Sequence, residues 1–206
     1  MRPEEIERQS FAIIEQELEE MGRTLPKSLA PVIMRCIHTS ADFSYADTLV
    51  FSEGVVDQAV ALIKSGVTVV TDTNMALAGI RRGLLAQCGG RAVCFMAEED
   101  VALEAKERNV TRAVVSMERA MRLPEPVLFA IGNAPTALMT LHEKMAQGTY
   151  HPALVIGVPV GFVHVETAKE LILGDPAPYI INRGRKGGSN IAAAIVNALL
   201  LRTADV

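Results

Sequence analysis

Val127-Leu128-Phe129-Ala130-Ile131, followed at once by Gly132-Asn133-Ala134-Pro135-Thr136, is the stretch that decides the fold. An unbroken apolar run of this length reads as a strand buried on both faces, not one with a wet side. The small residues and the proline behind it read as a turn into a helix, with Pro135 near the first helical turn. Four more runs repeat the pattern, at residues 67–71 (VTVVT), 92–96 (AVCFM), 154–158 (LVIGV) and 179–182 (YIIN), each divided from the next by helical patterns. The expected fold is therefore a doubly wound α/β sandwich around a five-stranded, mostly parallel sheet.

Two helical segments precede this regular part. The first has Pro3 and glutamates in its opening turn, Ile6, Ile14, Leu18 and Met21 on one face, and Gly22 as its stop. The second follows Pro26, carries Leu29, Ile33, Cys36 and Ile37, and runs into the polar turn His38-Thr39-Ser40-Ala41-Asp42. No linker rich in Pro, Gly or Ser divides the chain, so residues 1–206 are expected to form one domain.

Composition removes several classes of function. With 20 Lys+Arg against 24 Asp+Glu the formal charge is −4, which gives no general attraction to nucleic acid. Any anionic ligand must be held locally. The longest apolar stretch, Ile191 to Leu201, is broken by Asn197 and is far shorter than the roughly 20 residues of a membrane span. The start, Met1-Arg2-Pro3-Glu4-Glu5, lacks the basic and apolar regions of a secretory signal, so the expectation is a cytoplasmic protein without membrane contact. Cys36, Cys88 and Cys94 have no CxxC spacing and read as buried thiols, not as a disulfide or zinc framework.

Ligands of such sheets bind outside the carboxyl ends of the strands. The segments there are Asp72-Thr73-Asn74-Met75, Ala97-Glu98-Glu99, Gly132 to Thr136, Pro159-Val160-Gly161-Phe162-Val163 and Arg183-Gly184-Arg185-Lys186-Gly187-Gly188-Ser189-Asn190. Small residues, apolar loops and a cationic cluster on one rim suit a large, flat, apolar ligand with acidic groups at its margin. The last segment precedes a helical run and reads either as an anion site or as a glycine-rich turn with solvated bases. It matches neither GxxxxGK[ST] nor GxGxxG. The Pro159–Val163 loop puts apolar residues where polar ones are usual, and covers either a ligand, the chain's own core or a partner subunit. His38 is placed to meet a ligand and to donate a proton near neutral pH, although a lone histidine is commonly structural.

Six blocks in order carry a more specific reading. They are Ser10-Phe11-Ala12-Ile13-Ile14; His38; Asp72 with Met75-Ala76 and Ala78-Gly79; Thr111-Arg112; Ile131 to Leu138 together with Gly157-Val158-Pro159-Val160-Gly161-Phe162-Val163; and Gly184-Arg185-Lys186-Gly187-Gly188-Ser189. Together they resemble the precorrin-8X methylmutase family, which includes the cobalt-precorrin-8 methylmutases, over nearly the whole chain. Where that family usually has Glu-Ser-Lys, this chain has Thr167-Ala168-Lys169.

The resemblance implies a flavodoxin-like, homodimeric isomerase of cobalamin biosynthesis. Its substrate would be a tetrapyrrole, precorrin-8X or cobalt-precorrin-8, whose methyl group moves from C-11 to C-12. Such a [1,5]-sigmatropic shift consumes no nucleotide, redox cofactor or water, so no cofactor is implied. By the same likeness His38 would donate a proton or hydrogen bond to the ring C nitrogen. Arg112, Arg183, Arg185 and Lys186 would hold peripheral acids, with Ser10, Asn133, Gly161, Phe162 and Ser189 completing the substrate-binding set. Two other readings are a non-catalytic corrinoid carrier, and a nucleotide-dependent α/β enzyme using the Gly187-Gly188 helix start for phosphate.

Overall fold

A computed structural model describes residues 2–204; Met1, with which the reading of the N-terminus begins, lies outside the described residues. Two helices open the chain, α1 (Pro3–Glu20) and α2 (Ala30–Ser40). Gly22, at φ 70°, supplies the left-handed backbone that ends α1. Ile14 and Leu18 of α1 are buried, while Ile6 and Met21, expected on the same face, are exposed. Ile6 sits about 80° around the helix from Ile14, and Met21 falls beyond the last helical residue. His38 also differs from expectation: it lies in the last turn of α2, which is closed only at Ala41, in the left-handed region at φ 53°.

After a short helix, α3 (Tyr45–Thr48), comes a strand, β1 (Leu49–Phe51), then α4 (Val55–Lys64) and β2 (Thr68–Thr71). Next are α5 (Asn74–Gly79), α6 (Arg82–Gln87), β3 (Arg91–Val93), α7 (Glu99–Glu107) and α8 (Arg112–Ala120). The chain continues through β4 (Val127–Ile131), α9 (Pro135–Ala146), β5 (Leu154–Gly157), α10 (Val165–Leu173), β6 (Tyr179–Asn182) and α11 (Ser189–Ala204).

The sheet has six strands in the order β1-β6-β5-β4-β2-β3, which corrects the expected five. The strands β2 to β6 are parallel and correspond to the five apolar runs; among themselves they have the 2-1-3-4-5 order of flavodoxin-like sheets. The additional strand, β1, is antiparallel to β6, with Leu49 opposite Asn182 and Phe51 opposite Ile180. Three residues between two helices give too little periodicity to announce a strand, and β1's partner lies more than a hundred residues away. The β3 run is also shorter than expected, because Cys94, Phe95 and Met96 leave the sheet after Val93.

Alternation within each strand explains the three layers. Val127, Phe129 and Ile131 pack with Met117, Leu138, Leu141 and Ile172 from α8, α9 and α10. Leu128 and Ala130 face the other way, toward Ile33 and Ile37 of α2, Ile63 of α4, and Ile191, Ile195 and Leu199 of α11. Both sheet faces are thus dry, which is why the strands read as unbroken apolar runs. Truncating Phe129, fully buried at the centre of β4, to alanine should cost about 3–5 kcal/mol, read as a lower urea midpoint at unchanged m-value. A cost below about 1 kcal/mol would contradict this packing.

Candidate active site

Two helices deliver the first wall of the site. Phe11 of α1 stacks on the His38 ring, with centroids 5.3 Å apart and planes at 26°. One turn before His38, Arg35 lies 4.7 Å from the Phe11 ring centroid and is ion-paired with Glu7 of α1. The Arg35 guanidinium holds the Glu7 carboxyl below the usual carboxylate range. His38 is thereby backed by an aromatic face and flanked by a fixed positive charge, and its ring is open to solvent.

Opposite stands α11, a helix apolar almost all round. Its residues Asn190, Ala193, Ala194, Asn197 and Leu201 form a stripe that faces a cavity of about 370 Å³ lined also by Arg35, His38, Thr39, Met75, Gly79 and Arg81. Small side chains at positions 193 and 194 leave the room. Gly79 is needed for the close approach of α5, since a Cβ there would come within 2.8 Å of the Ala193 Cβ. A second cavity, of about 440 Å³, shares Arg35 and Leu201 with the first and adds Phe11, Lys27, Pro31, Met34, Ala198 and Arg202. The two make an elongated trough with an apolar floor and cations along its margin.

Behind the trough, backbone contacts set the loops at the carboxyl edge of the sheet. Asp72, fully buried at the end of β2, accepts hydrogen bonds from Gly132 N at 2.9 Å, Asn133 N at 2.7 Å and Ala134 N at 2.6 Å. Burial pushes its carboxyl up, against the three donors that favour the charged form. This turn sits between β2 and β4, the switch point where such a sheet would offer N–H groups to a phosphate. Here the chain's own carboxylate occupies them. Gly132 in turn lies against the start of α11, where a Cβ would come within 2.7 Å of the Ser189 Cα.

The basic loop is held from inside. Lys169 of α10, fully buried, donates from Nζ to the Gly184 carbonyl at 2.7 Å and the Lys186 carbonyl at 2.9 Å. Asn182 Nδ2 donates to the same Lys186 oxygen at 2.9 Å. The cations of the loop each have a partner: Arg183 with Glu170 at 3.2 Å, Arg185 with Glu166 at 3.1 Å, and Lys186 with Asp42 at 2.6 Å. The last pair ties the loop to the turn just after His38, and Lys186 holds the Asp42 carboxyl below its ordinary value. Exposed pairs of this kind are worth about 0–1 kcal/mol, so a ligand carboxylate can replace the internal one at little cost.

Of the catalytic and substrate-binding residues expected from the sequence, His38 alone lines either cavity, although Phe11, Met75, Gly79 and Asn190 of the quoted blocks and rim segments do so too. Ser10 stands beside Phe11 on α1, and its hydroxyl donates to the Ile6 carbonyl at 2.9 Å. Arg112 opens α8 and, among the described residues, forms no ion pair; Asn133 is exposed on the turn held by Asp72. Gly161 has φ 148° and donates from its N–H to the Arg185 carbonyl at 3.1 Å, and the Arg185 guanidinium lies 5.5 Å from the ring of the exposed Phe162. Ser189 Oγ is 2.7 Å from Thr73 Oγ1, joining the first and last rim segments. Sequence reasoning missed Arg35, Arg81, Asn197 and Lys169. The i, i+3 spacing of Arg35 and His38, and two asparagines seven residues apart in an apolar helix, are signals that could have marked Arg35 and Asn197. Among the described residues no cluster of three or more His, Cys, Asp or Glu is arranged to hold a metal ion, and no helix is long and apolar enough to cross a membrane.

Fold and site together define an α/β protein with an apolar trough edged by cations. The family described as "CbiC: Precorrin-8X methylmutase" matches residues 5–202. A cobalt-precorrin-8 methylmutase of Priestia megaterium is 38% identical over 199 residues, 97% of this chain and 88% of that protein. A precorrin-8X methylmutase of Pseudomonas aeruginosa is 39% identical over 196 residues, 94% and 93% of the two chains. The crystal structure of a precorrin-8x methyl mutase from Thermus thermophilus superposes with a TM-score of 0.87 at 36% identity, covering 97% of this chain and 98% of that one. The chain belongs to the precorrin-8X methylmutase family and is an isomerase.

Burial pushes the Lys169 ammonium down to about 8 from an ordinary 10.5, against the opposing charge of Glu166. Between those two values the unfolded chain holds more protons at this site than the folded one, so the contribution of Lys169 to stability rises with pH across that window. The stability difference between wild type and Lys169→Met, measured by urea denaturation, should therefore grow in favour of wild type as pH is raised from 8 to 10. A difference flat with pH would show that Lys169 is not desolvated.

Proposed function

We propose that the protein acts in cobalamin biosynthesis, moving a methyl group from C-11 to C-12 of precorrin-8X or cobalt-precorrin-8 to give hydrogenobyrinate or cobyrinate. The observation that carries this reading is the placement of His38, braced on Phe11 at the wall of a trough with an apolar floor and cationic margins. In a [1,5]-sigmatropic shift the migrating group leaves one ring carbon as it bonds to another, and no atom is gained or lost. What the protein must supply is one tautomer of the macrocycle and stabilisation of the charge distribution in the transition state. His38 does this by giving a proton or hydrogen bond to the ring C nitrogen, which draws electron density from the π-system that receives the methyl group. Cobalt, where present, belongs to the substrate.

The macrocycle lies on the floor formed by Ala193, Ala194 and Leu201, against the wall that carries Phe11, with its acetate and propionate arms toward the cations. Ser10, Arg112, Asn133, Gly161, Phe162, Arg183, Arg185, Lys186 and Ser189 contact the parts of the substrate that extend beyond the trough. Guanidinium forks suit these carboxylates better than ammonium groups do. Replacing His38 with alanine should lower the rate of conversion of precorrin-8X by about 10²–10⁴-fold while product binding is retained, both followed by the absorption spectrum of the chromophore. Unchanged conversion would remove His38 from the mechanism.

The protein works as a homodimer. Support comes from the apolar rim, where Met75 is 71% exposed, Phe162 83% and Val163 73%, an apolar surface of the kind subunit contacts cover. Sedimentation equilibrium should give twice the chain mass, and Phe162→Asp should shift the protein toward monomer; a monomeric wild type at micromolar concentration would contradict this.

A further inference from the structure

The cavity in front of His38 is lined by two guanidinium groups, and they differ in what holds them. Arg35 is committed to Glu7 and to the face of Phe11. Arg81, exposed on the opposite wall, forms no ion pair with any described residue. Its backbone is nevertheless fixed. The side chain of Asn197 accepts from Arg81 N at 2.8 Å and donates from Nδ2 to the Gly79 carbonyl at 2.8 Å, so one amide clamps both sides of the turn between α5 and α6. Asn197 is half-buried, between the buried Val196 and Ala198 of α11, and both ends of its amide are used by the turn. The contact of Gly79 on Ala193 presses the same turn against α11.

A rigid turn that carries a free guanidinium to the margin of an apolar trough is the arrangement that captures a carboxylate. We propose that Arg81 binds a peripheral carboxylate of the substrate across the trough from His38, and that Asn197 is the residue that positions it. This rests on the methylmutase reading and deepens it. The anchor lies at the periphery of the macrocycle, away from the migrating methyl group. Its energy therefore serves ground state and transition state alike, and appears in KM and not in kcat.

Arg81→Ala, Arg81→Lys and Asn197→Leu are compared with wild type in conversion of precorrin-8X and in titration with hydrogenobyrinate, at low and high salt. Arg81→Ala should raise KM and weaken product binding by roughly 10–100-fold, with kcat changed by less than about threefold. It should also flatten the salt dependence of binding, which loss of a merely structural residue would not do. Arg81→Lys should recover part of the affinity, and Asn197→Leu should raise KM with the thermal midpoint of Arg81→Ala unchanged from wild type. If wild type converts the substrate and Arg81→Ala binds and converts equally well, the assignment of Arg81 is overturned while the function stands. If wild type neither converts precorrin-8X nor binds hydrogenobyrinate, the functional reading falls and the assignment with it.

Discussion

A carboxylate with no exposed surface spans the point where the chain winds from one half of the sheet to the other. Asp72 leaves β2 and takes up the three N–H groups of the turn that leads from β4 into α9. The turn can then lie so close to the next rim segment that only glycine fits at 132. That segment is the start of α11, so the position of α11 descends from the Asp72 contact through Gly132. The floor of the trough is one stripe of α11. A buried hydrogen-bonded carboxyl thus fixes the floor of the trough from the opposite side of a helix.

The same economy of charge governs the edge of the site. Cations that would repel one another across Arg183, Arg185 and Lys186 are each matched by a carboxylate from α10 or from the turn after α2. Lys169 provides the interior counterpart. Among the described residues no carboxylate lies within ion-pair distance of it, and its protons go to carbonyl oxygens of the loop it supports. The loop therefore keeps its shape by buried bonds to its backbone while its side chains stay exchangeable at the surface. Binding of a polyanion can proceed by partner exchange without rebuilding the backbone.

Much of this was legible in the sequence. The parallel strands were, because β2, β4, β5 and β6 are buried almost throughout and so declare themselves by composition, while the half-buried edge strand β3 shows only as a short apolar run. The edge strand β1 was not, since Leu49–Phe51 becomes a strand only through pairing with Tyr179–Asn182. His38 stood out as an imidazole at the end of an apolar helical face, but Leu29-to-His38 periodicity could not say that Ala41, and not His38, closes the helix. The basic loop was visible as charge, whereas its partners Glu166, Glu170 and Asp42 lie in other elements and carry no local signal. Arg81 has no local signal at all, and the faint spacing signals of Arg35 and Asn197 acquire meaning only when α2, α5 and α11 come together. Their residue types are ordinary for exposed or capping positions until the tertiary contacts are known.

Both margins of the sheet are guarded in the same way. At one end β1 runs for three residues, antiparallel to its neighbour; at the other β3 runs for three, beginning with Arg91, which is ion-paired with Glu125. Border strands this short, the second with a charge on it, offer little template for another chain to extend the hydrogen-bond ladder. Each edge of the sheet therefore offers a stray strand only three residues of backbone to zip onto, too few to seed amyloid-like stacking.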